Sequence, residues 1–288
     1  MRHLLLALSV GLMVPAVARA QGTVDCTEGN LPHNSNEAKI FKTYAVPLAF
    51  TAGRAPLPLR PGSVTVVLEG AYVPQLDSAE RIPSYCRPGK GPENTNLITI
   101  FPRPRVILAG AQGFFLELSW VPPIRVNGTK ANLFGIGLGR AAVGKTTTVQ
   151  LRGYFQFGTI NGPVTCPESA VTDPTNSFCY GLPVSDDSYK PNQFGIEGSV
   201  GFLLGNRHLV PYVGFGVNFE RPRFQVSSPP NQKVEANMTR TAVMGGLQWT
   251  LSNLLAFTGE VYADPAQAVT GRLLASFSFG GYSGKRRR

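Results

Sequence analysis

A phosphate-binding pattern is spelled out letter for letter in this chain. Gly139-Arg140-Ala141-Ala142-Val143-Gly144-Lys145-Thr146 fits G-x-x-x-x-G-K-[ST]. That chemistry needs a strand before the loop and a helix after it, so that backbone amides and the helix N-terminus cradle the phosphates. The chain continues instead as Thr146-Thr147-Thr148-Val149-Gln150-Leu151, β-branched and alternating, which predicts a turn between two strands and no nucleotide site. Nucleophilic catalysis needs a histidine beside a serine or cysteine. Beyond the first twenty residues the chain offers His33, in an N-terminal extension, and His208, at a short turn. No catalytic residue is assigned. The cysteines Cys26, Cys86, Cys166 and Cys179 include no C-x-x-C pair and stand far from both histidines, so no metal site and no cofactor are expected.

A third group of residues is more telling. Glu69, Glu117, Glu197, Glu220 and Glu260 are matched in number by Arg103, Arg105, Arg152, Arg240 and Arg272. Each occurs in a stretch whose apolar residues recur at every second position. Val64, Val66, Leu68 and Tyr72 alternate with Thr65 and Glu69. Phe114, Leu116, Leu118 and Trp120 alternate with Phe115, Glu117 and Ser119. Side chains two apart share a strand face, so the ten charges fall on the face opposite the apolar one. In a narrow closed barrel that face is the lumen, where desolvated charges must pair.

About ten such segments succeed one another from Ser63 to Phe279. Between Asn132 and Arg140, Phe134, Ile136 and Leu138 alternate with Gly135, Gly137 and Gly139. Pro102 and Pro104 interrupt the segment 97–108 and predict a bulge or an early end, because proline cannot donate to a ladder. Connections alternate in length: long at 73–96, short at 109–113, medium at 121–131, short at 141–146 and longest at 158–192. Trp120, Tyr212, Trp249 and Tyr262 stand near strand ends, as an interfacial aromatic girdle would.

The chain ends differ from this body. Arg2, the apolar run 4–17 and Ala18-Arg19-Ala20 form an expected signal peptide over residues 1–20. The run is too short to span a bilayer as a helix, which takes ~20 residues. Residues 21–62 are an N-terminal extension. Asn34-Ser35-Asn36-Glu37 starts a short helix that Pro47 limits, and Pro56, Pro58 and Pro61 mark an extended linker. Residues 63–279 are the strand domain, and 280–288 a basic tail ending Lys285-Arg286-Arg287-Arg288. Charged residues make up 15% of the chain, hydrophobic ones 43%, and the formal net charge is +10. The charged share is low for a soluble domain, where it is about 25%. The positive balance sits in the tail and in scattered loops, which fits anionic lipid headgroups better than nucleic acid.

In its strand pattern over residues 63–279 the chain resembles small bacterial outer-membrane β-barrel proteins. The resemblance implies an all-β fold: a closed antiparallel transmembrane β-barrel of about ten strands, with eight or twelve as neighbouring counts, and a partly helical N-terminal extension. It implies export to the bacterial outer membrane, with outer-membrane lipid as partner and no nucleic acid or nucleotide. An even strand number puts both termini in the periplasm. Members of this class commonly finish on an aromatic residue, whereas here Phe279 is succeeded by nine more residues.

In an exported chain four cysteines favour two disulfides, Cys166 with Cys179 and, by default, Cys26 with Cys86. The second pair joins a periplasmic N-terminus to an outer loop, and one way to reconcile the two is for residues 21–60 to thread the lumen as a plug. Two functions are consistent with this pattern. One is passage or binding of a small solute through a narrow, charge-lined lumen. The other is a structural or surface-interaction barrel, its lumen sealed by ion pairs and its outer loops functional. Neither is an enzyme.

Overall fold

The computed structural model describes residues 28–87, 90–204, 208–227 and 232–280. The expected signal peptide, Cys26 and residues 281–288 of the tail lie outside the described residues.

Ten strands form the barrel: β1 (Val64–Tyr72), β2 (Ile100–Ala109), β3 (Phe114–Val121), β4 (Thr129–Val143), β5 (Thr147–Gly162), β6 (Gln193–Phe202), β7 (Leu209–Glu220), β8 (Met238–Thr250), β9 (Leu255–Asp264) and β10 (Ala268–Phe279). Each pairs antiparallel with its sequence neighbours. The ring closes where β10 meets β1, in a register from Arg272 opposite Ala71 to Phe279 opposite Val64. Closure leaves no sheet edge, so every strand has a partner on both sides.

Alternation sets the two faces. Leu273 is 74% exposed and its neighbour Arg272 2%, and Leu151 is 65% exposed beside Arg152 at 1%. Leu68, Ile136, Leu138, Phe155, Ile196, Phe215 and Phe257 continue the outward apolar belt, a surface stable only against lipid. Trp120 caps it at one end, stacked on Phe134, which stacks on Phe157. Trp249 is exposed at the other end.

Tyr212 and Tyr262 depart from the girdle expectation: both are buried on the inner face. The reason is parity. Tyr262 stands two residues from Glu260, and Tyr212 an even number from Glu220, so each shares the acid's face. The proline-bearing strand also differs from expectation. Pro102 and Pro104 pair in unbroken register with Gly70 and Leu68 of β1. On the other side, the ladder to β3 runs only from Arg105 to Ala109. The two prolines therefore lie beyond the end of the ladder that would need their N–H groups.

The G-x-x-x-x-G-K-T stretch is strand, turn and strand. It runs from β4 through Gly144, whose N–H donates to Thr147 O at 2.7 Å, into β5.

The long connections gather at one end, the outer end in the barrel reading, where the β4–β5 hairpin extends past the wall. Strand 187–190 joins the end of β5, and 223–225 and 233–235 lie next to it in turn. Glu28–Asn30 adds parallel to 233–235. These pieces make a small sheet over the mouth, the cap. The described N-terminal residues therefore lie at the end opposite Gly62, whose N–H donates to Ala109 O at the base. The barrel itself begins and ends on one side, with Val64 opposite Phe279, as an even strand number requires, and residues 28–30 reach the other end because the chain between runs through the barrel. It descends as α1 (Asn36–Leu48), capped by Ser35 Oγ on the Ala38 N–H and ending one residue after Pro47. An extended stretch then reaches the base at Ser63.

Candidate functional site: the filled lumen

Residues 46–59 occupy the barrel interior, and their sequence explains why. From Thr43 to Gly53 there is no charged side chain, so this stretch enters a desolvated space with its backbone groups and a few hydroxyls to satisfy. Gly53 adopts φ +58, a left-handed turn that glycine takes without strain.

The wall supplies the hydrogen-bond partners. All five glutamates and five arginines of the alternating strands are buried. Arg103 donates to Leu48 O at 2.6 Å and Ala49 O at 2.8 Å, and also to Gln156. Arg152 donates to Phe50 O at 2.6 Å, and Arg105 to Thr51 O. Arg272 donates to Val46 O and Ala49 O, both at 2.8 Å. Acids meet the donors of the same segment. Glu260 accepts from Thr51 Oγ1 at 2.8 Å, and Glu197 from Ala52 N at 3.2 Å. Gln248 accepts from Ala55 N at 3.0 Å.

The charges also bond one another. Glu69 lies between Arg105 and Arg272, the latter at 2.9 Å. Glu117 lies between Arg152 at 2.7 Å and Arg105 at 3.4 Å. Arg152 reaches Glu197 at 3.1 Å. Arg240 forms a separate group nearer the mouth: it binds Glu220, reaches Asp264 at 3.1 Å and donates to Lys42 O of α1 at 2.9 Å. Buried ion pairs of this kind are tolerable only when each charge has its partners.

Phe50, fully buried, is the pivot. The guanidinium carbons of Arg105 and Arg152 lie 4.6 Å from its ring centroid, and that of Arg103 at 5.5 Å, within cation–π range. The glycine alternation of β4 makes the room. A Cβ at Gly135 would stand 2.9 Å from the Phe50 ring, and one at Gly137 2.9 Å from Arg152.

The alternation pattern alone misses four contributors. Asp264 reads as a turn residue before Pro265, and Phe50, Tyr212 and Gln248 carry no charge to draw notice. The parity of Tyr212 and Gln248 with their charged neighbours is the available signal. His33 and His208 are exposed, far apart in the chain, and build no catalytic group. Among the described residues no cluster of His, Cys, Asp and Glu could hold a metal.

Cys166 and Cys179 are bonded within the longest loop. Cys86 is disulfide-bonded, and its expected partner Cys26 falls outside the described residues. In the outer loops Lys90 binds Glu93 at 2.8 Å. Burial pushes the Glu93 carboxyl up to about 7, against the pull of Lys90 and Arg87.

No protein-family model matches the sequence, and no curated protein matches it. Among solved structures, the chain resembles bacterial outer-membrane β-barrel proteins. The attachment invasion locus protein Ail of Yersinia pestis is 9% identical, with 76% of this chain and 100% of that one covered and a TM-score of 0.34. The N-terminal barrel domain of Pseudomonas aeruginosa OprF is 11% identical, covering 76% and 98%, at 0.32. The translocator domain of the Neisseria meningitidis autotransporter NalP is 9% identical, covering 84% and 94%, at 0.41.

Proposed function

We propose that this protein is a barrel of the bacterial outer membrane, exported there by its signal peptide. Its own N-terminal segment closes the lumen, and its outer cap does the work. One observation carries the reading. Arg103, Arg105, Arg152 and Arg272, which an open pore would turn toward solute, all donate to backbone carbonyls of residues 46–51. Their charges are further matched by Glu69, Glu117, Glu197 and Glu260. A selectivity filter needs polar groups free to replace a solute's hydration, and here those groups already serve the chain. This favours the sealed, surface-working barrel over solute passage. Liposome swelling tests it. Vesicles holding the folded protein should not swell in isotonic arabinose, and swelling at the rate of an open pore would overturn the reading.

A further inference from the structure

The mouth of the barrel holds a cavity of about 150 Å³ between α1 and the wall. Ile40, Phe41 and Leu48 of α1 form one side, and Ile98, Ile160 and Val234 the other. A cavity of this volume with aliphatic and aromatic walls accommodates a single aromatic ring. Two features distinguish it from a packing defect. Thr129, 5% exposed, and Tyr189 of the cap both line it. The Thr129 Oγ1 and Tyr189 hydroxyl oxygens are buried with no hydrogen-bond partner among the described residues. An unpaired buried hydroxyl costs free energy, and a ligand oxygen would supply what it lacks. Two acids border the cavity, and both are already engaged: Glu93 is held by Lys90 at 2.8 Å, and Glu37 accepts from the Tyr85 and Cys86 N–H groups, each at 3.0 Å. Most of the remaining lining is apolar, and a charge placed in it would lose its hydration.

We infer that this cavity is a binding site for a small uncharged phenol or aryl alcohol, with its ring among Phe41, Ile98 and Ile160 and its oxygen toward Thr129 and Tyr189. This rests on the closed-lumen reading, because α1 is one wall of the site and must stay in place. Closure makes the cavity a blind pocket, so the ligand binds from outside and does not pass through.

The test is fluorine NMR of 4-fluorophenol with the full-length folded protein in detergent. Saturable broadening is expected, with a dissociation constant between about 10 µM and 1 mM for a ligand of this size. Ile160→Trp, which fills the space, should abolish it, and Thr129→Val, which keeps the shape, should weaken it roughly threefold to tenfold. Partition into micelles is the same for every variant. Should Ile160→Trp fail to fold, Leu97→Trp, at another lining position, fills the same cavity. No saturable binding by the native protein, or equal binding after filling, would overturn the site. Unchanged affinity in Thr129→Val would overturn the hydroxyl-bearing ligand. The same detergent-folded protein, tested for conductance, separates the two ideas: binding in a conducting barrel rejects only closure, and no binding in a silent one rejects only the site.

Discussion

Arg152 shows what a buried charge does here. Its guanidinium group joins Glu117, Glu197 and the carbonyl of Phe50 while facing the Phe50 ring. Arg152→Ala takes from Glu197 its arginine and leaves Glu117 with Arg105 at 3.4 Å, and breaking one partner of a buried pair typically costs ~3–5 kcal/mol. We expect the urea midpoint of the folded barrel to fall accordingly while bilayer conductance stays unchanged, because Phe50 and its neighbours still fill the bore. A charge-lined channel would show the reverse: altered conductance with little loss of stability. Glu93 makes a residue-scale prediction outside the membrane. Its side chain faces Lys90, with Arg87 and Asp187 nearby, and burial raises its carboxyl to about 7 from an unfolded value near 4.5. The folded loop therefore binds the proton more tightly than the unfolded loop. The stability contributed by this group is greatest below about 4.5, falls as pH rises to about 7 and is flat above. Hydrogen exchange at the Arg81 and Glu93 amides, which lie in this loop, should show more protection at pH 5 than at pH 8 after correction for intrinsic rates. Glu93→Gln should remove the difference.

At the scale of elements, β4 and the inner segment are matched surfaces. Gly135 leaves the space that the Phe50 ring takes, so Gly135→Val should displace the segment without disturbing the β4 ladder, which uses backbone groups only. Trypsin should then cut after Arg54, buried in the native protein, faster than in the parent, while heat-modifiable gel migration still reports a folded barrel. Equal cleavage would contradict the fit. The strands are legible because period 2 is imposed locally: an apolar outer face and a mixed inner face read directly from Phe114 to Trp120 or Phe134 to Leu138. The same parity places the ten charges on one face. It places Tyr212 and Tyr262 there too, once their distance from Glu220 and Glu260 is weighed above aromatic type. The path of residues 46–59 is less legible. The charge-free run from Thr43 to Gly53 suits an interior, but its partners are Arg103, Arg152 and Arg272, the last more than two hundred residues away. Such contacts arise from ring closure, which no local pattern encodes. The cap strands, three or four residues each, are too short to show a period.

The whole molecule joins three parts: an apolar belt that requires lipid, a bore filled by the chain's own segment, and a cap built where that segment emerges. The filled bore is the central one of the three, and single-channel conductance tests it most directly. The protein from residue 21 onward, refolded in a planar bilayer, should be silent. A variant lacking residues 21–62, shown to be folded by its gel migration, should open steady channels through the vacated arginine- and glutamate-lined bore. Steady conductance by the intact protein, or silence from the folded truncated one, would contradict a bore closed by its own chain.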